Sequence, residues 1–83
     1  MKAKVFVRLK GGVLDVQGKA VERGLQENGF PAISGVRIGK LIEFDLKSST
    51  QEDAKREIEA MCQKILVNPI IESYEISLGE SAA

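Results

Sequence analysis

The chain has 83 residues, with 12 basic and 12 acidic side chains, no histidine and one cysteine. Charges that cancel supply no positive field for gripping nucleic acid or an anionic membrane surface, and the lack of histidine removes the commonest general base and metal ligand. One cysteine cannot close an internal disulfide, no apolar run approaches the roughly 20 residues that span a bilayer, and no signal-like segment precedes the first strand pattern. The expectation is therefore one cytoplasmic domain over residues 1–79 with a frayed tail at 80–83.

Ala3, Val5, Val7 and Leu9 alternate with Lys2, Lys4, Phe6 and Arg8, the period of a strand with one buried face. Gly11-Gly12 breaks it, and Asp15 can cap a helix whose apolar stripe is Val16, Ala20, Val21, Gly24 and Leu25, ended by Asn28-Gly29 and Pro31. Ile33 to Ile38 and Leu41 to Leu46 read as two strands of a hairpin turning at Gly39-Lys40. Ser49 followed by Glu52 is a capping-box pattern that opens a second helix, with Ala54, Ile58, Met61, Cys62, Ile65 and Leu66 on its apolar side and Asn68-Pro69 as its stop. Tyr74, Ile76 and Leu78 alternate with Ser73, Glu75 and Ser77 as a last strand.

The order strand, helix, hairpin, helix, strand predicts a ferredoxin-like α+β fold: a four-stranded antiparallel sheet with both helices on one face. The opposite face would then carry Lys2, Lys4, Phe6 and Arg8 beside Leu41, Glu43 and Asp45, with Ile71 and Glu75 from the last strand. Apolar side chains among pairable charges suit a subunit contact, so a homodimer at least is expected, with exchange of the last strand beyond the proline open as a further arrangement.

The chemistry-bearing residues are few. Cys62 lies on the apolar stripe between Ile58 and Ile65, where a buried structural thiol outweighs a nucleophile. Glu52, Asp53, Glu57 and Glu59 beside Lys55 and Arg56 read as a solvated helix face rather than an acid-base pair. Gly11-Gly12 ahead of Asp15 and Gly18 fits neither a dinucleotide fingerprint nor a phosphate loop, and an acid at the cap repels phosphate, so a turn and cap is favoured. Lys10, Arg37 and Lys40 stand at a loop, a strand end and a hairpin tip, where cations can reach a partner's carboxylate or phosphate, although taken alone a solvated surface is the more common explanation of such residues. An RNA-binding sheet is disfavoured, since only Phe6 offers a stacking ring on the open face.

Three segments, Leu9 to Gly18, Val36 to Lys40 and Leu66 to Tyr74, resemble in order the motifs of PurS, the small subunit of phosphoribosylformylglycinamidine synthase. The matching positions are Lys10, Gly12, Asp15, Gln17, Gly18, Arg37, Gly39, Lys40, Asn68, Pro69, Glu72 and Tyr74. Val16 stands where the family usually has proline, a departure that removes a preset helical dihedral from the first turn.

The resemblance implies a non-catalytic accessory subunit in de novo purine synthesis. It would have no cofactor or metal of its own, ATP and magnesium belonging to a large synthetase subunit. As a homodimer or tetramer it would join that synthetase to a glutaminase, so that ammonia from glutamine reaches activated formylglycinamide ribonucleotide. Among the matching residues Lys10, Arg37 and Lys40 are expected at partner contacts and the rest in shaping the chain. The rival reading is a stand-alone dimeric ligand-sensing domain, which the fold alone does not exclude.

Overall fold

The computed structural model describes residues 1–48 and 50–79. Its elements are β1 (Lys2–Leu9), α1 (Val16–Glu27), β2 (Gly39–Asp45), α2 (Gln51–Met61) and β3 (Glu72–Leu78), with one π-helical turn, Cys62–Leu66, closing α2. The sheet is antiparallel in the order β2-β1-β3, with Val5 opposite both Ile42 and Ile76. The period-2 pattern of β1 does what it predicts: Ala3, Val5 and Val7 are buried, and Ile42, Phe44, Tyr74, Ile76 and Leu78 flank them on the same face. From α2, Ile58 and Cys62 complete the core with Val67.

The four-stranded ferredoxin-like sheet with its central hairpin does not form; the described residues make three strands. Gly39 and Lys40, expected to turn, are rungs of the ladder opposite Arg8 and Val7, so the chain cannot reverse there. Upstream, Gly35 takes a positive φ of 69°, which breaks the extended run from Ile33. The expected strand 33–38 instead leads straight into β2.

The two helices also part company. α2 packs on the sheet through Ile58, whereas no residue of α1 joins the core cluster and only Gly18 of α1 is buried. Val16 and Val21 of its apolar stripe are consequently exposed, as are Leu14, Phe30 and Ile33 around it. The molecule is thin and long, 50 × 30 × 14 Å, with a Cα radius of gyration of 16.0 Å against about 12 Å for a compact domain of this length.

The cap of α2 is Thr50, whose hydroxyl accepts from the Asp53 amide at 3.1 Å; the expected cap, Ser49, lies outside the described residues, as does the tail 80–83. The stripe of α2 runs true through Ala54, Ile58 and Cys62 and then fails, because Ile65 is 83% exposed. The cause is the π turn: the Val67 amide bonds the Cys62 carbonyl five residues back at 3.1 Å, so the helical period lengthens and Ile65 rotates outward.

This contrast is measurable. Ile58→Ala should lose about 2 to 5 kcal/mol in urea denaturation through an unfilled core volume. Ile65→Ser should change stability by under about 0.5 kcal/mol.

Candidate functional site

The residues singled out in the sequence converge on one end of the sheet, where β1 ends and β2 and β3 begin. β1 leaves through Lys10, whose amide donates to the Ile71 carbonyl at 2.8 Å, and a turn in which the Val13 amide donates to Lys10 at 3.1 Å. Gly12 takes a φ of 87° within that turn, a conformation that side chains other than glycine resist.

Asp15 then caps α1 and does more. One carboxylate oxygen accepts from the Gly18 amide and the other from the Ile38 amide, both at 2.7 Å, with the side chain almost buried. Those two amides hold the carboxyl below its usual range, the Ile38 bond contributing most; burial opposes them, and the Arg37 guanidinium adds a lesser lowering. Two turns along the same helix, the Glu22 carboxylate accepts from the Val36 amide at 3.1 Å. α1 lies so close to the segment leading into β2 that a Cβ on Gly18 would sit 2.6 Å from the Val36 carbonyl oxygen. Gly39 is equally confined, since a Cβ there would meet the Val7 carbonyl at 2.5 Å.

The three cations are all engaged within the chain. Arg37 donates to the carbonyls of Leu9, Lys10 and Val13 at 3.4, 3.2 and 3.3 Å, stitching the β1–α1 loop to the start of β2. Lys10 donates from Nζ to the Pro69 carbonyl at 2.7 Å. Lys40 lies 3.6 Å from the Glu72 carboxylate, whose other oxygen accepts from the Asn68 amide at 2.7 Å. The Asn68 side chain in turn accepts from the Ile70 amide at 3.1 Å, forming the turn that carries Pro69. Lys10 and Lys40 remain exposed along their lengths, whereas most of the Glu72 side chain is covered.

Glu72 separates two shallow clefts. One, about 310 Å³, is lined by Lys10, Cys62, Val67, Pro69 and Tyr74; the other, about 300 Å³, by Leu9, Asp15, Gln17, Ile38 and Lys40. The Cys62 thiol on the first wall is pushed up in pKa by burial and by Glu59, so at neutral pH it is a thiol and not a nucleophilic thiolate. Both oxygens of Asp15 and both of Glu72 are held by donors or a counter-ion, which leaves the end of the sheet shaped and charged but without a poised acid or base. Among the described residues no group of three metal-ligating side chains comes together.

The sequence placed Asp15 at a helix cap but missed its bond to Ile38 and missed Glu22 altogether. A signal was present: Asp15, Gly18 and Glu22 recur at three and four residues and so share one face of α1.

Comparison with known proteins places this arrangement. The PurS family model, described as "Phosphoribosylformylglycinamidine (FGAM) synthase", matches residues 2–80. A curated relative, phosphoribosylformylglycinamidine synthase subunit PurS of Methanocaldococcus jannaschii, is 39% identical over 77 residues, covering 93% of each chain. The crystal structure of PurS from that organism, described as one of the subunits of formylglycinamide ribonucleotide amidotransferase in the purine biosynthetic pathway, superposes with a TM-score of 0.87 at 37% identity over 98% of each chain. A chain in the structure of PurLQS from Thermotoga maritima superposes with a TM-score of 0.84 at 30% identity, covering 92% of this chain and 93% of that one.

Asp15 supplies a pH test. Its folded-state pKa is depressed, so the stability it contributes is fully present above its unfolded value near 3.8 and is lost as pH falls through the lower folded value. Asp15→Asn should therefore be less stable than the parent chain at pH 7, and urea midpoints measured from about pH 5 to pH 2 should fall less steeply for the variant.

Proposed function

The chain belongs to the PurS family of phosphoribosylformylglycinamidine synthase subunits, which serve purine biosynthesis, and we propose that within this glutamine-dependent ligase it is the non-catalytic adaptor between the synthetase and the glutaminase. The observation that carries the reading is the match over residues 2–80, whose motif positions gather at one end of one sheet. The chemistry explains why such an adaptor is needed. Ammonia released from glutamine is mostly protonated at neutral pH and diffuses away, so the site that makes it and the activated amide that consumes it must share one assembly. In this proposal ATP and magnesium bind the synthetase, this subunit carries no cofactor, and the complex works in the cytoplasm. No helix among the described residues is long and apolar enough to cross a membrane.

Lys10 and Lys40 are the proposed electrostatic contacts with the partner subunits, and Arg37 joins them by fixing the loop that presents Lys10. A homodimer is the proposed form of the subunit, with a tetramer as its further association. The thin shape, the helix α1 that adds no side chain to the core, and the exposed Leu14, Val16 and Phe30 support it, since a single layer of this size buries little surface alone. No observation favours the stand-alone ligand-sensing domain over this reading.

The test is amidine synthesis by purified synthetase and glutaminase with and without this chain. Glutamine-dependent turnover should require the chain, while turnover on added ammonia should not. A glutamine-dependent rate that is indifferent to the chain, together with no association of the three proteins, would sink the proposal. Lys40→Glu, which also repels Glu72, should weaken association with the partner subunits and lower the glutamine-dependent rate by about tenfold or more, leaving the ammonia-dependent rate unchanged.

A further inference from the structure

The helix-free face of the sheet carries a slot that the adaptor role does not use. It measures about 280 Å³ and is lined by Phe6, Arg8, Arg37, Gly39, Lys40 and Leu41. β1 presents Phe6 and Arg8 on the side away from the buried Val5 and Val7, and Leu41 and Gly39 of β2 stand opposite them. Met1 and Leu46 set the phase of this ladder, the Leu46 amide donating to Met1 at 2.9 Å and the N-terminal amine to Leu46 at 3.1 Å. Bonded pairs alternate from there, so Phe6 and Leu41 form a non-bonded rung, the kind that brings Cα atoms to about 4.5 Å and side chains into contact. The core uses neither of them: Phe6 is half-buried outside the core cluster, and Leu41 is 50% exposed. The next rung on this face sets Arg8 against Gly39, which has no side chain, so the slot opens there to the main chain.

The slot is apolar at one end and cationic at the other. No carboxylate lines it, whereas Glu72 lines both clefts at the end of the sheet. Arg37 is held by three carbonyls, which fix the guanidinium without cancelling its charge and use at most three of its five N–H donors. Arg8 and Lys40 have carboxylates only at 4.0 and 3.6 Å, and more than half of each side chain is exposed. Those separations exceed the roughly 2.7 to 2.9 Å of a charge-assisted hydrogen bond, so an anion in the slot gains bonds that Glu75 and Glu72 do not supply. The apolar rung beside these cations offers one face to a flat ring. Same-face neighbours on a strand stand about 7 Å apart, and this step from Phe6 to Arg8 is the span of one ribose between a base and its 5′-phosphate.

We propose that the slot binds a nucleoside 5′-monophosphate, with the base on Phe6 and Leu41 and the phosphate among Arg8, Arg37 and Lys40. One ring suffices for one base, whereas a strand of RNA needs a succession of them, so the shortage of aromatics that disfavours an RNA-binding sheet leaves a mononucleotide site intact. The inference goes beyond the adaptor role and concerns this chain without its partner subunits, so it stands or falls separately from that role.

Titration of the isotope-labelled full chain with adenosine 5′-monophosphate, adenosine and inorganic phosphate, followed by amide chemical shifts, tests the proposal. The monophosphate should give saturable shifts centred on residues 6–8 and 37–41 with a dissociation constant of about 1 mM or below, while adenosine and inorganic phosphate should each bind at least about tenfold more weakly. Phe6→Leu removes the ring but keeps an apolar side chain; it should weaken monophosphate binding about tenfold and leave inorganic phosphate binding unchanged. Arg8→Gln should weaken both by about tenfold or more. Both side chains lie outside the core, and unshifted Val5, Ile58 and Cys62 amides in the variants report an intact fold. Monophosphate binding no tighter than that of inorganic phosphate would overturn the nucleotide reading. Shifts centred elsewhere, or an affinity indifferent to both variants, would overturn the site, and the absence of saturable shifts up to about 10 mM would overturn both.

Discussion

The carboxylate of Asp15 is the joint on which the rest of the structure turns. One side chain ends a loop, starts a helix and extends a strand, because its two oxygens accept amides from α1 and from the head of β2. No residue of α1 joins the core cluster, and what the structure shows holding it is this carboxylate, Glu22 one further step along, and the close approach of Gly18 to the Val36 carbonyl. Polar bonds normally contribute less than burial to holding a helix in place. Here they are directional, near-buried and backed by Arg37, which ties the same loop from the other side. An arm held by hydrogen bonds keeps its apolar residues turned outward, whereas an arm held by packing would have hidden them.

The same constraint accounts for the thinness of the molecule. With no side chain of α1 in the core, the buried core is a handful of side chains about Val5, Ile58 and Cys62. The opposite face of the sheet is laced with Lys2–Asp45, Lys4–Glu43 and Arg8–Glu75 pairs at 3.0 to 4.0 Å, and solvent-exposed pairs of this kind add little stability. Their effect is on specificity: each cation already faces an anion on the neighbouring strand, so the face repels no approaching surface of either sign as a whole. A core this small leaves association as the natural source of further stability.

What could be read from the chain follows the interactions that are local. The inward alternation of β1 and β3 was legible because a strand's period does not depend on its neighbours, and Asp15 was legible as a cap because capping involves amides only three residues away. Gly39-Lys40 misled because glycine before lysine is ordinary turn chemistry, and only the ladder to Arg8 and Val7 shows that the position requires glycine for close approach instead. Ile65 misled because a π turn changes the helical period without a residue that announces it. The gathering of Lys10, Arg37, Lys40 and Glu72 was beyond sequence reasoning of any kind, since their proximity depends on which ends of three strands coincide.

That gathering also shows how the proposed contact could matter without catalysing. In an active site, acids and bases are held near the point of proton transfer, with at least one lone pair or proton free for substrate. At this end of the sheet the reverse holds: Asp15 and Glu72 are anchored anions, Arg37 is committed to three carbonyls, and Cys62 is kept protonated by its surroundings. Every one of these commitments fixes backbone, and together they fix the relative position of a loop, a helix start and a strand head. The exposed lengths of Lys10 and Lys40 rise from that frame already oriented, one by Pro69 and the other by Glu72. In the proposed contact, two long flexible cations whose course is set beforehand would lose less freedom on meeting a partner, so rigidity in the buried carboxylates would become affinity at the exposed amines.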